Sequence, residues 1–228
     1  MPHELREKCA IVGVGETPYV KGTEKSNLSL HLEAACNAIQ DCGLSPRDID
    51  GFLPLYASGV HAEQIISNLG IKDLKYSATI HQGGASPLAS IESAILAITA
   101  GIANCVLLTV GTRGYSDQRA SKRGVNAPIV PVFATVNEFE PPYGAVIPVQ
   151  LYAALARRHM HEYGTTSRQL GAIAVACRKH AMLNPKAIMR TPMTIEDHQN
   201  SRMIADPLRK LDCSLESDGA GAVIVTSA

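Results

Sequence analysis

Apolar and polar positions change period several times along this chain. Residues 9–15 (CAIVGVG) form a short apolar run ending in glycine, the pattern of a buried strand. In residues 28–42, Leu28, Leu32, Ala35 and Ile39 recur at helical spacing, with Ser26 or Asn27 placed to cap the first turn and Gly43 to close the last. Residues 51–55 predict a second strand, 61–69 a helix stopped by Gly70, and 74–80, which alternate in part, a strand near a sheet edge. Residues 80–111 hold the clearest unit. Gly83 and Gly84 make a tight turn, Ser86 falls where a helix N-cap belongs, and Pro87 suits the first helical position. Leu88, Ile91, Ile95, Ile98 and Ile102 then form one stripe, with small Ala89, Ala94 and Ala97 opposite, so the helix is expected to be covered all round. Gly101 ends it, and residues 105–110 predict a strand buried on both faces. This β-α-β-α-β-α-β order predicts an α/β fold with a parallel or mixed sheet.

Beyond Gly111 the pattern loosens. A polar stretch carrying Arg113, Arg119, Lys122 and Arg123 reads as a surface loop, and Pro128, Pro131, Pro141, Pro142 and Pro148 interrupt the next segment repeatedly. Helices are expected over 150–163 and 169–183, the second with Leu170, Ile173, Ala174 and Cys177 inside and Arg178, Lys179 and His180 near its end. Those cations suit either the helix dipole or a bound anion. Thr194 caps a short turn, and residues 212–228 close the chain with a glycine turn and one more buried strand.

Composition narrows the class. The 228 residues carry no formal net charge, are 46% hydrophobic and lack Trp, so the core is aliphatic and no nucleic-acid partner is implied. No run approaches the ~18 apolar residues needed to span a bilayer, and the polar N-terminus leads straight into a strand, which points to a cytoplasmic protein without a membrane span. Six scattered cysteines with no C-x-x-C pair read as reduced, mostly buried thiols and give no metal site. Gly13, Gly15 and Gly22 do not form a dinucleotide fingerprint.

The candidate chemistry lies at the start of the helix after Gly84. Free N–H groups and the positive end of the helix dipole favour developing negative charge there, making Gly83 and Gly84 candidate oxyanion donors. Ser86 is either the cap of this helix or a nucleophile, with His81, at the end of the preceding strand, as its base.

Three segments resemble the thiolase superfamily, and within it the sterol-carrier-protein-type thiolases and lipid-transfer-protein aldolases. They are the Gly-Gly turn with its helix and the run AGIANCVLLTVG, the stretch HMHEYGTTSRQLGAIAVACRKHAMLNP from His159 to Pro185, and SDGAGAVIV from Ser217 to Val225. The resemblance implies a thiolase-like layered fold, N-terminal half only. Residues 1–111 and 212–228 would be the core and 112–211 an inserted, mainly helical loop domain. It also implies acyl-CoA thioesters as substrates, no permanently bound cofactor, and a homodimer or a hetero-oligomer with a complementary subunit. CoA phosphates would meet Arg113, Arg119, Lys122, Arg123, Arg178 and Lys179. Two features depart from the family pattern. The nucleophilic cysteine position falls on Gly84, and the second half, with the family's catalytic His and second Cys, has no counterpart here. Carbon–carbon chemistry of the retro-aldol type needs a base and an oxyanion site but no acyl-enzyme, and so remains open where thiolysis does not; acyl transfer is the other family activity. The rival expectation is a non-catalytic acyl-CoA-binding or scaffold subunit.

Overall fold

The computed structural model describes residues 5–54, 59–117, 138–139, 141–145 and 147–228. The chain divides into two compact units, Met1–Ser116 with Ser217–Ala228, and Asp117–Glu216.

The first unit is built on a five-stranded mixed sheet. Its strands are β1 (Cys9–Glu16), β2 (Gly51–Pro54), β3 (Tyr76–Ser77), β4 (Cys105–Arg113) and, from the end of the chain, β7 (Asp218–Ser227), in the order β1-β7-β4-β2-β3. Strand β7 runs antiparallel to both β1 and β4, while β2 is parallel to β4 and to β3. Helices α1 (Asn27–Cys42) and α2 (Ala62–Leu69) cover one face, packing Leu30, Ala34, Ile39 and Ile65 on Phe52, Leu107 and Ile224. Helix α3 (Ser86–Thr99) covers part of the other, where Ala94 and Ile98 meet Leu53, Val106, Leu108 and Val225. Successive residues of β4 and β7 thus serve opposite helices, as strand pleating requires.

Several sequence expectations shift once the layers are in place. Strand β1 is an edge strand, not a buried one. It turns Gly15 to α1, where a Cβ would stand 2.2 Å from the Ala34 carbonyl oxygen, and leaves Val14 58% exposed. Strand β3 contracts to two residues at the opposite edge. Helix α1 is capped by Ser26, whose hydroxyl accepts the Ser29 N–H, and it buries Leu30, His31, Ala34 and Ala38 with Ala35 and Ile39, while Leu28 and Leu32 pack only at the margin. Helix α3 keeps part of its expected stripe: Ile98 is buried against the sheet and Ile91 and Ile95 pack there partly buried, beside the small residues Ser90, Ala94 and Ala97, whereas Leu88 is 73% exposed and Ile102, beyond the helix, stands outside. Small side chains let a helix approach a sheet closely, so they share the sheet-facing side with the isoleucines. Gly101 ends this helix in the left-handed conformation (φ 72°), with the Ile102 N–H reaching the Ala97 carbonyl, a Schellman closure.

Two buried carboxylates hold β4 at its ends. Asp50, just before β2, accepts the backbone N–H groups of Asn104 and Cys105 (each 2.8 Å to Oδ1) and the Asn104 side-chain amide (3.0 Å), and Lys75 lies 3.3 Å away. Its own carbonyl accepts the N–H groups of Lys75 and Tyr76. At the far end Asp218 accepts the N–H groups of Tyr115 (2.9 Å) and Ser116 (3.0 Å) and the Ser116 hydroxyl (2.6 Å). Burial pushes both carboxyls up. For Asp50, bonds from Cys105, Asn104 and Lys75 outweigh it, and for Asp218, those from Ser116 and Tyr115 with the Arg113 charge, so both lie below the ordinary carboxylate value.

The second unit comprises α4 (Pro148–Tyr163), α5 (Ser167–Leu183), α6 (Ile195–Asn200) and a short hairpin of β5 (Met203–Ala205) and β6 (Leu208–Arg209). Helix α5 is capped by Thr166 and buries only Gly171; Ile173 is 64% exposed and Cys177 is exposed, against expectation. Polar groups pack against α5. His198 of α6 is buried, bonds Asp212 through Nε2 (2.6 Å), and sits where a Cβ on Gly171 would come within 2.8 Å of its Nδ1. Gln199 ties the same helix to the Ser167 carbonyl (3.1 Å).

Replacing Asp50 by Ala strands two backbone N–H groups and is expected to cost about 3 kcal/mol in urea unfolding at neutral pH. Because the folded carboxyl titrates below its unfolded value of about 3.9, this contribution is present above that pH and disappears as pH falls through the depressed folded value. The gap between wild type and Asp50→Asn should therefore narrow between neutral pH and about pH 3; a gap that stays constant would remove the charge from the account.

Candidate functional site

The site begins at the start of α3. Residues Gly83–Ala85 form one 3-10 turn that runs into the helix. Gly83 takes φ 56°, a conformation that disfavours any side chain, whereas a Cβ on Gly84 would meet nothing within 4 Å. The Ala85 N–H bonds the Gln82 carbonyl and the Ser86 N–H bonds the Gly83 carbonyl, so Gly83 and Gly84 supply the first N–H groups of the turn, which have no partner within it. The arrangement is an exposed, positively polarised helix start with clear space over Gly84.

Ser86 is not the N-cap that its position suggested. It is the first residue of α3, 1% exposed, and its hydroxyl faces backwards: it accepts the Gln82 N–H (2.8 Å) and donates to the Gly83 carbonyl (2.8 Å). The side chain locks the glycine turn, and its proton is committed to a carbonyl. His81 is exposed at the strand side of the turn. Cys105 is buried, and burial followed by the Asp50 carboxylate pushes its thiol up to about 11, which leaves it protonated.

Three of the six basic candidates, Arg113, Arg178 and Lys179, are among the described residues. Arg113 donates to the Thr23 carbonyl (3.0 Å) and lies in the field of Asp218, so it is committed within its own unit. Arg178 donates to the Thr191 carbonyl (2.7 Å), with Lys179 exposed beside it on α5. Arg119, Lys122 and Arg123 lie outside the described residues. Among the described residues no cluster of His, Cys, Asp and Glu could hold a metal ion, and no helix is long and apolar enough to cross a membrane.

Sequence reasoning passed over His31. It is fully buried in α1, with Nδ1 2.9 Å from the Thr109 hydroxyl and Nε2 3.2 Å from the Gly111 carbonyl. The carbonyl can only accept, so Nε2 carries the proton and Nδ1 accepts from Thr109. Burial holds the pKa of this imidazole below its ordinary value, consistent with a neutral ring that ties α1 to the end of β4. Its place beside Leu30, Ala34 and Ala38 on the apolar side of α1 was the only signal. A cavity also opens between α3 and the sheet, with Pro87, Ser90 and Ile91 on its helix side.

No family model matches the chain. It is 42% identical over 233 residues to the 17-hydroxy-3-oxo-4-pregnene-20-carboxyl-CoA lyase of Mycobacterium tuberculosis, covering 98% of this chain and 58% of that protein. It is 38% identical to the steroid side-chain-cleaving aldolase of Thermomonospora curvata, covering 96% of this chain and 56% of that one. Among solved structures, the Ltp2-ChsH2(DUF35) aldolase superposes with a TM-score of 0.87 at 38% identity, over 98% of this chain and 56% of the matched one. A monomeric SCP2-thiolase-like protein from Mycobacterium smegmatis, 22% identical, shares the fold with a TM-score of 0.70. The chain thus spans a little over half the length of these two curated relatives.

The turn geometry separates its two glycines. Gly84→Ala should change stability by less than about 0.5 kcal/mol, while Gly83→Ala should cost about 1 kcal/mol or more. Ser86→Ala loses both hydroxyl bonds, about 1–2 kcal/mol, and Ser86→Asp, burying a charge against the Gly83 carbonyl, should cost more than Ala. Thermal unfolding of the four variants checks the order; an Asp variant more stable than the Ala variant would restore the N-cap.

Proposed function

The chain belongs to the thiolase superfamily, in its branch of sterol-carrier-protein-type thiolases and lipid-transfer-protein aldolases, and we propose that it supplies the N-terminal half of a site for carbon–carbon bond cleavage in acyl-CoA thioesters. The observation that carries this reading is the open turn at Gly83–Gly84, which offers N–H groups and clear space at the helix start but no nucleophile. In a retro-aldol step a base takes the proton of a 3-hydroxyl group. The bond between the carbons α and β to the thioester breaks, and its electron pair moves into the thioester as an enolate. Protonation at the α carbon then releases a shorter acyl-CoA, with a ketone or aldehyde as the other product. The N–H groups of Gly83 and Gly84 suit the enolate oxygen, which is where negative charge develops. His81 stands at the strand side of the same turn, while Ser86 holds the turn in shape.

The names of the relatives support a CoA thioester whose hydroxyl sits on a ring carbon, of the steroid side-chain kind. Arg178 and Lys179 of α5, with Arg119, Lys122 and Arg123 ahead of it in the chain, are the cations we assign to the CoA phosphates. They lie in the segment we assign as the inserted loop domain, 112–211. A complementary subunit, or a second copy, would bring the base and close the site; that Ltp2 is paired with ChsH2 in a solved structure supports the hetero-oligomer. The committed Ser86 proton and the buried Cys105 favour one further reading, an acyl-CoA-binding subunit whose partner performs the chemistry.

The test is a retro-aldol assay with a 3-hydroxyacyl-CoA bearing a tertiary hydroxyl, run on the full chain alone and with its complementary subunit. Ketone and shortened acyl-CoA are expected only with both present, and the chain alone should not consume a 3-ketoacyl-CoA in a CoA-dependent manner. Robust thiolysis by the chain alone would overturn the proposal. Charge reversal at Arg178 and Lys179 should weaken CoA binding in a salt-sensitive way, and unchanged affinity would remove both from the site.

A further inference from the structure

His31 is fully buried between α1 and the sheet, and the proposed reaction makes no use of it. Both ring nitrogens are engaged. Nε2 donates to the Gly111 carbonyl (3.2 Å), and Nδ1 accepts from the hydroxyl of Thr109 (2.9 Å), which is itself 3% exposed. The two bonds join the N-terminal half of α1 to β4 shortly before the chain leaves the first unit at Ser116. A second proton on the ring would change this arrangement. Nδ1 would become a donor, and the Thr109 hydroxyl would have to turn its hydrogen away. A positive charge would then lie under α1, where Leu30, Ala34 and Ala35 pack on the sheet and no water solvates it.

The charged groups on the elements packed against α1 have partners of their own or lie elsewhere. Arg113 of β4 and Asp218 of β7 are register partners on the α1 side of the sheet, two residues beyond Gly111 and Ala220 along their strands. Arg113 donates to the Thr23 carbonyl, and Asp218 accepts from Tyr115 and Ser116. Glu16 of β1 lines the recess on the other face of the sheet, and His61 and Glu63 of α2 are exposed. On α1 itself, Glu33 pairs with Lys25 at the surface and Asp41 accepts the Val14 N–H. The thiols of Cys42 and Cys105 stand at the end of α1 and the start of β4, away from the ring. Burial therefore outweighs the bond to Gly111 and holds the His31 pKa below its ordinary value.

We propose that His31 is an acid-sensitive latch, whose protonation frees the N-terminal half of α1 from the end of β4 while Asp50 and Asp218 still hold the strand. With α1 lifted, the ring meets water and titrates near its ordinary value of about 6.5. With α1 closed, it titrates lower. The latch is thus fully closed above about pH 6.5. Below that, the lifted form takes up the proton first, and opening increases by up to about tenfold per pH unit until the closed form is protonated as well. Asp50 and Asp218 both lie below the ordinary carboxylate value of about 3.9, so they stay ionised while the latch responds. Mild acid therefore lifts α1 before it loosens β4.

The experiment is amide hydrogen exchange of the full chain from about pH 7.5 to about pH 4.5, read as protection relative to the free-peptide rate at each pH. In wild type, protection of residues 27–36 should hold above about pH 6.5 and fall below it by up to about tenfold per pH unit, while residues 50–54 and 104–107 keep theirs. His31→Gln cannot take up the proton, so its protection over 27–36 should not change with pH, whatever its level. Wild-type protection that stays constant across the range overturns the proposal. So does a fall shared equally by 50–54 and 104–107, or the same fall in His31→Gln. If His31→Gln does not fold, nitrogen NMR of the wild-type ring decides: it should show the Nε2–H tautomer alone at about pH 6.5, and a ring half-protonated there overturns the proposal.

Discussion

Strand β4 is held at both ends by carboxylates that have been taken out of water. Its ladder bonds run to β7 on one side and β2 on the other, but the N–H groups of Asn104, Tyr115 and Ser116 lie beyond those ladders, and that of Cys105, the first residue of the strand, points to Asp50. Asp50 and Asp218 satisfy them, and each carboxylate is stable in the interior because several donors converge on it. His31 adds a third tie, from α1 to Thr109 and Gly111. Shifting β4 by one residue would break all three and turn every side chain of the strand to the wrong helix.

The site inherits its geometry from that fixed strand. Helix α3 feeds into β4 through the Gly101 closure, so its position over the sheet is set at its C-terminal end, and its small face decides how closely it sits. Its N-terminus is set separately, by Ser86 holding the turn at Gly83. What emerges is a rigid helix start that presents backbone donors and leaves the space above Gly84 free. Backbone donors that converge on open space are the kind of group that stabilises developing negative charge, which is why the proposed enolate chemistry is assigned to this turn.

The fold likeness to an aldolase comes with 38% identity and extends to a thiolase at 17%, so the scaffold is kept across that range. Among the described residues of the second unit, a polar cluster of His198 with Asp212 and Gln199 ties α6 to its neighbours, and Tyr152, Leu155 and Ile173 lie on the surface.

The sequence by itself determined the elements. The strand and helix order of the first unit, the main helices of the second, the glycine stops at Gly43, Gly70, Gly101 and Gly164, and the thiolase-like fold class are legible from periodicity, capping and three family-like segments, because those signals are local and repeat within a few residues, whereas the β5–β6 hairpin was not foreseen. The tertiary structure decided which faces are buried. On α3 the alanines and a serine joined Ile91, Ile95 and Ile98 against the sheet while Leu88 was left outside, and β1 turned its glycines inward, because close packing rewards small groups where backbones approach and hydrophobicity alone does not report that distance. Ser86, Asp50, Asp218 and His31 likewise acquired their roles from partners up to about a hundred residues away or from a turn whose direction no spacing encodes. A polar residue in a sequence announces that it needs a partner, but only the folded chain determines which groups come within hydrogen-bonding distance.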